Sequence, residues 1–577
     1  MRILEVRVLM LLLLAAGMVP NAGAQSALGK TTLSTTKVTG TSVLGGGSHP
    51  VYTTITIPYA MPDNDLVEAR RNSVSSKPAS SATPMALSIP TPQPNKVTNH
   101  GANLQFEGLS TVDTANTNGF VTTPPDQGLC AGHGFVLGII NSSLVVFNVA
   151  GSKVSVPEAV NAFFDADPTT TFISDPRCYY DRPSQRWFVS VTNVYDSSNN
   201  YRSNLFLAVS QTSDPRGGYT LYSIDTTDDG LDGTPSNPGC STAAPCFGDQ
   251  PTLGADAFGV YLTTNEFSLF SNTFNGAQIY AISKDALEDG TASSIVHIGD
   301  LPLAEGIAYS VQPASSPDLS DEDNSGVEYF LSALDFFGTL DDRIAVWSLG
   351  NTRSLNHKTP NVTLMNIVIK SEVYGQPPDA PQKAGPYPFG QSLGEPEETL
   401  SSGDDRMQNV VFANGHLWGG LNTIVSDGTN TNVGIAYFDV NPKMSENGLK
   451  ATVHGQSYVS AEGNSVIYPG IGVTAEGTAA AAFTLTGASY FPSAAYAHLT
   501  PSHATSINIV AAGNAPQDDF SGYPEFGGAG VARWGDYSWR VADGKSLWLG
   551  TEYIPGGIDA TSYFTDFGTF IYNVNLD

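Results

Sequence analysis

Basic residues are scarce: 26 Lys and Arg stand against 55 Asp and Glu, for a formal net charge of −29. A surface of that sign repels phosphate backbones and anionic lipid, which argues against nucleic acid as a partner and favours cations and neutral glycans. Charge of either sign is sparse, at 14% of residues, and the Ala, Glu, Lys and Leu richness of helical proteins is missing. Beyond the N-terminal stretch no apolar run reaches the roughly 18 residues that a membrane helix needs, so membrane insertion is not expected. Several catalytic signatures are absent. There is no HExxH or His-x-His arrangement to hold zinc, no Gly-x-Ser-x-Gly elbow, no phosphate-binding glycine loop and no dinucleotide fingerprint. What remains is 58 Gly and 37 Pro among abundant Ser, Thr, Asn and Asp, the texture of many short strands joined by turns.

The N-terminus carries Arg2 and Arg7, then VLMLLLLAAGMV, then Ala22, Gly23 and Ala24. This is the three-part pattern of a cleaved secretory signal, so residues 1–24 are set apart from the fold and the mature chain is expected to be secreted, extracellular or periplasmic. In that setting the four cysteines read as disulfide candidates. Cys240 and Cys246 bracket STAAP and close a small loop, which leaves Cys130 to pair with Cys178. Residues 25–102 are rich in Ser, Thr and Pro and read as a low-complexity extended arm with one short strand in VYTTITIPY.

From residue 103 to 577 the texture changes, and one pattern recurs seven times: a polar residue, a short strand, a turn and a longer strand. Its opening residues are Asp126, Asp175, Asp249, Gln312, Asp405, Tyr468 and Asp536; its closing residues are Asn141, Asn193, Asn265, Asp335, Asn422, Thr486 and Glu552. Repeats of three or four antiparallel strands cannot bury both faces alone and must stack on their neighbours, and radial stacking gives a β-propeller. The fold class expected is all-β, a seven-bladed propeller, with NLQFEGLS (residues 103–110) joining the last blade as its fourth strand and covering an open edge. A β-sandwich or two smaller β domains is the competing arrangement.

The segments PPDQGLCAGHGFVLGIIN, SDPRCYYDRPSQRWFV, RMQNVVFANGHLWGGLNT and RWGDYSWRVADGKSLWLGTEY resemble secreted bacterial β-propeller proteins of the loosely sialidase-like type. The resemblance implies the fold. The Ser-x-Asp-x-Gly-x-x-Trp turn of true sialidases is not present, so no catalytic residue is carried over.

In a propeller the opening and closing residues of each unit lie at the same mouth of the central channel. A ring of Asp126, Asp175, Asp249, Asp405 and Asp536, with Asn265, Asn422 and Glu552 beside it, therefore suggests a site for a hard cation such as calcium or for a polar ligand such as a glycan. Arg177, Arg406 and Arg533 are placed to neutralise these carboxylates. The competing reading is that Asp at a strand entry accepts hydrogen bonds from neighbouring backbone amides. A second candidate is DEDNSG at residues 321–326, where Asp321, Asp323 and Ser325 offer oxygens at alternate positions before a glycine, the first half of a calcium loop; position twelve is Ser332 and not Glu. The loop DTTDDGLDG (residues 225–233) is a weaker acidic candidate of the same kind. The expected role is binding or interaction. The alternative is a glycoside hydrolase that draws an acid/base pair from Asp126, Asp175, Asp249, Asp405, Asp536 and Glu552. Tyr179, Tyr180, Trp187, Phe267, Tyr387, Trp534 and Tyr537 are candidates either for stacking on sugars or for packing between blades.

Overall fold

The computed structural model describes residues 25–26, 29–44, 87–196, 201–271, 273–301, 303, 306–322, 325–556 and 566–576. These form an all-β, propeller-like arrangement in which each of the seven repeats opens one group of antiparallel strands, called sheets one to seven here; the fourth and fifth are continuous as one nine-stranded sheet, because Gln312–Ser315 pairs parallel with Val410–Ala413. The first sheet holds Gly128–Gly132, Phe135–Ile139, Ser143–Asn148 and Glu158–Ala159. The second holds Thr171–Asp181, Arg186–Asp196, Tyr201–Ser210 and Gly218–Asp225, and the third Cys246–Ala255, Gly259–Ser268, Phe274–Ser283 and Ser294–Gly299. Sheets four to seven begin with Gln312–Ser315, Val410–Ala413, Asn464–Val473 and Trp539–Asp543. The first strands of successive sheets are neighbours, and Trp539–Asp543 also neighbours Gly128–Gly132.

Because each sheet is covered on both faces, its strands lose the apolar/polar alternation of a half-exposed sheet. Ala479–Gly487, AAAAFTLTG, is buried throughout. Its alternate side chains serve different neighbours: Ala479, Ala481 and Phe483 pack with Ile435 and Tyr437 of the fifth sheet, and Ala480 and Ala482 with Leu547 and Leu549 of the seventh. Alanine on both faces keeps the strand thin enough for sheets to approach from either side. Between the seventh and first sheets, Trp539, Trp548 and Ile571 meet Leu129, Val136, Val145 and Phe147.

The strand expected to complete the seventh sheet does so. Leu104–Ser110 lies antiparallel to Gly568–Asn575, with Phe570 opposite Glu107. The low-complexity stretch, expected to be a free arm, contributes strands to four sheets. Lys37–Val43 edges the second sheet, Lys30–Thr35 the third and Gln25–Ser26 the fourth, all antiparallel, while Val97–Asn99 runs parallel to Ile507–Ala511 of the sixth. Its Thr and Val residues have high strand propensity, and open sheet edges supply the hydrogen bonds. An apolar face is not required, since Leu33 and Val43 stay about half exposed (49% and 55%). VYTTITIPY and the expected signal at residues 1–24 lie outside the described residues.

Both disulfides form as the spacing suggested. Cys130–Cys178 links the first strands of sheets one and two with Cα atoms 5.3 Å apart, and Cys240–Cys246 has Cα atoms 5.1 Å apart. Peptide mapping without reduction should recover these two pairs. Replacing Cys130 and Cys178 together by alanine should cost about 2 to 4 kcal/mol in chemical denaturation, because the bridge closes the longer loop; loss of Cys240–Cys246 should cost less. Among the described residues no helix is long and apolar enough to cross a membrane.

Candidate functional site at the strand-entry mouth

The strand entries share a backbone conformation more than a residue type. Asp126, Asp175, Gln250, Ser310 and Tyr468 all have positive φ, between 42° and 56°. Each stands two residues before the regular pairing of its first strand, at Gly128, Arg177, Thr252, Gln312 and Gly470. A left-handed non-glycine residue costs on the order of 1 kcal/mol or more, so five in equivalent places require compensation. For four of the five the preceding sheet supplies it. The amide of Asp175 donates to Asn141 Oδ1, that of Ser310 to Asn265 Oδ1 and that of Tyr468 to Asn422 Oδ1, each at 2.8 Å; that of Gln250 donates to Asp175 Oδ2 at 3.1 Å.

This corrects the sequence reading in two respects. The equivalent residues are Gln250 and Ser310, so Asp249 and Gln312 are offset by one and two positions. Asn265 and Asn422, expected at a ligand, are buried latches between neighbouring sheets; their amide groups also donate to Ser310 Oγ and the Ser402 carbonyl.

Among the aspartates, Asp126, Asp175 and Asp536 come together from sheets one, two and seven, each with a carboxylate oxygen within 4.8 Å of the others. Asp126 accepts from the Asp536 amide at 2.9 Å and from Asn141 Nδ2 at 2.6 Å. Burial, then the neighbouring Asp175, pushes the Asp126 pKa up to about 7. Asp249 is also raised to about 7, by burial and then Asp175, with relief from Arg406. Asp175 is raised by burial and relieved chiefly by Arg177, then Arg533. Glu552 accepts from the Gly535 amide at 2.8 Å, and burial raises its pKa strongly. Asp405 stands apart from the three, fully buried, with its charge felt by Tyr374.

The three arginines have different situations. Arg177 donates Nε to the Pro251 carbonyl and lies over the Tyr537 ring, 3.4 Å from its centroid. Arg406 pairs with Asp404 at 2.6 Å and reaches from the fifth sheet to Gln250 Oε1 of the third at 2.5 Å. Arg533 is exposed, and its charge stabilises Asp126, Asp175 and Asp249.

No family model and no curated protein matches the chain. Among solved structures it is similar to an exo-β-1,3-galactanase from Clostridium thermocellum, at 10% identity over 82% of this chain and 99% of that one, with a TM-score of 0.26. It is similar at TM-scores of 0.30 to an α-L-arabinofuranosidase from Fusarium graminearum (7% identity, 82% and 98% covered) and to Drosophila Semaphorin 1b extracellular domains 1–2 (8% identity, 84% and 88% covered). At these levels the likeness assigns neither architecture nor activity.

Sequence reasoning missed a second acidic group that adjoins Glu552. Glu398, Asp518, Asp519 and Asp566 lie buried on the long loops before sheets five and seven and within the seventh. Asp518 accepts from the amides of Phe389 and Gly390 and from the Tyr523 hydroxyl. Glu398 has no such set. Neither of its oxygens has a hydrogen-bond partner of ordinary geometry, the Gly522 amide giving only weak relief, and burial with Asp519, Asp518 and Asp566 nearby pushes its pKa up to about 9. Consecutive acids in GEPEETL and PQDDF were the available signal, but they fall outside the repeat.

The remaining candidates have structural partners or lie outside the description. Asp321 lies within the helical turn Leu319–Glu322 and accepts the Asn414 amide at 2.6 Å; Ser325 has a φ of 56°, and Asp323 lies outside the described residues. In DTTDDGLDG, Asp225, Asp229 and Asp232 surround Arg202. Tyr179, Tyr180, Trp187, Phe267, Trp534 and Tyr537 are buried and pack between strands, while Tyr387 is half-buried ahead of the helix Pro388–Leu393.

Proposed function

We propose that the chain is a closed seven-bladed propeller whose strand-entry mouth holds a hard cation, calcium being the candidate, and uses it to bind a neutral glycan outside the cytosol. The observation that carries the reading is the convergence of Asp126, Asp175 and Asp536 oxygens within 4.8 Å. Calcium takes six to eight oxygens at about 2.3 to 2.6 Å, so opposite ligands stand about 4.8 Å apart. Three carboxylates supply part of such a shell and leave places for water or sugar hydroxyls. The net negative charge disfavours polyanionic ligands and suits neutral ones.

Binding is preferred to hydrolysis because Asp126, Asp175 and Glu552 each accept a main-chain amide. A glycosidase pair needs carboxyl groups about 5 to 9.5 Å apart flanking a bond, free to exchange protons with it. Calcium added to chelated protein should raise the melting temperature by several degrees, since a ligand at a hundred times its Kd adds about 2.7 kcal/mol. Asp126→Asn with Asp175→Asn should remove most of that increment. A melting temperature insensitive to calcium and chelator would count against the cation. A glycan array run beside a reducing-sugar assay should give binding without turnover, and release of sugar would establish the hydrolase instead.

A further inference from the structure

A different group of chemistry-bearing residues lies on the fifth sheet. His416 opens the strand His416–Ser426, Asp439 sits in Thr431–Ser445 and His454 in Gly448–Val459, so the three come from adjacent strands. His416 Nδ1 donates to Asp439 Oδ1 and His454 Nδ1 to Asp439 Oδ2, each at 2.6 Å. The two rings stand 4.6 Å apart, centroid to centroid, at 75°. One ligand atom from each of the three residues lies within 4.8 Å of the other two.

The local backbone brings them together. Asp439 is opposite Trp418 on one side and Gly455 on the other, but Val440 is opposite Val453, so His454 is the extra residue of a β-bulge. A bulge turns an otherwise outward side chain toward its neighbours, and these irregularities commonly serve to aim a side chain. Access is graded: the Asp439 side chain is 2% exposed, His416 24% and His454 51%. A buried carboxylate clamped by two imidazoles, one of them open to solvent, is a three-ligand arrangement with room for a fourth.

We propose that His416, Asp439 and His454 bind one first-row transition-metal ion, with zinc as the best fit. Two imidazole nitrogens and one carboxylate oxygen suit borderline-soft zinc, and three protein ligands with an open fourth position make an accessible site. Hard calcium prefers all-oxygen shells, so this site and the carboxylate mouth select different ions. Ion binding replaces the two ring hydrogen bonds to Asp439 by bonds through the metal, and it ties the outermost strand, Gly448–Val459, to the two strands inside it.

The test is a titration of the tag-free, full folded protein with zinc in millimolar calcium, followed by calorimetry and dialysis. One equivalent of zinc should bind, and cobalt in its place should give the visible absorption of a low-symmetry, four-coordinate ion. His416→Gln with His454→Gln should reduce the stoichiometry from one to zero and leave the calcium-dependent melting increment unchanged. His454→Gln alone changes only a half-exposed ring, so it should remain folded and still weaken binding strongly. Absence of saturable zinc binding, or full stoichiometry in a folded double variant, would overturn the assignment.

Discussion

A chain beginning at residue 111 should fail to reach the native state and be recovered as aggregate, whereas one beginning at residue 100 should fold with a lower melting temperature. The difference is the strand Leu104–Ser110. It supplies the fourth strand of the last sheet from the opposite end of the chain, and its side chains enter the junction between the last sheet and the first. The Phe106 ring lies 5.1 Å from that of Phe147 in the first sheet and 6.0 Å from that of Trp548 in the seventh, and Leu109 is buried. Tyr553 donates to both oxygens of Glu107, at 2.7 and 2.6 Å. Burial of Leu109 is worth about 2 kcal/mol and the partial burial of Phe106 about 1 kcal/mol, and their loss also exposes the edge of Gly568–Asn575, a template for pairing with another chain. Size-exclusion chromatography and near-ultraviolet circular dichroism of the two truncations separate the outcomes. A monomeric 111–577 fragment with near-native melting would show that the closing strand is dispensable.

The second large effect is on pH dependence. Glu398 has its pKa raised to about 9 in the folded protein, Asp519 to about 6, and Asp566 is raised well above its ordinary value, each chiefly by burial. A carboxyl whose folded pKa exceeds its unfolded value binds its proton more tightly in the native state. Its contribution is therefore complete below the unfolded pKa and is lost as pH rises through the folded one. In the presence of chelator, stability should fall as pH rises from about 5 to 9, by up to about 1.4 kcal/mol per pH unit for each such group. Glu398→Gln keeps the shape of the neutral acid and cannot ionise. It should match the parent at pH 5 and exceed it by on the order of a few kcal/mol at pH 8 to 9, the full linkage value being an upper bound for a site that can rearrange. Denaturant melts at the two pH values measure this. Equal destabilisation at both would mean that the carboxylate is needed in its charged form.

The architecture was legible because its signal is repeated and local. Each of the seven recurring segments begins a group of antiparallel strands, the fourth and fifth continuous as one sheet, and Leu104–Ser110 completes the last group, since aromatic and β-branched runs between turn residues leave few other solutions. The recurring polar position was visible, but its purpose was not. The repeat specifies a left-handed backbone whose amide needs an acceptor, and Asp, Gln, Ser and Tyr all satisfy it, so counting aspartates mistook Asp249 for the equivalent of Asp175. The strands at residues 30–43 were hidden because edge pairing relies on backbone groups that composition does not report. Glu398, Asp518 and Asp566 meet only through three irregular loops, and His416, Asp439 and His454 only through strand pairing and a one-residue bulge. Residue spacing along the chain carries no trace of either.

The segment holding Gln25–Ser26, Lys30–Thr35 and Lys37–Val43 edges the fourth, third and second sheets in turn, against the direction in which those sheets follow one another along the chain. For a polypeptide made from its N-terminus, the first described strands to emerge thus find their partners only long after they are made. Lys37–Val43 must wait for Gly218–Asp225, Lys30–Thr35 for Ser294–Gly299 and Gln25–Ser26 for Thr363–Gly375. Until those partners are made this stretch has to stay uncommitted, which its Ser and Thr content and small apolar surface favour by making premature collapse weak. Its docking then works as a seal applied sheet by sheet, and a chain stalled before residue 218 would carry the whole stretch unpaired and available to other stalled chains.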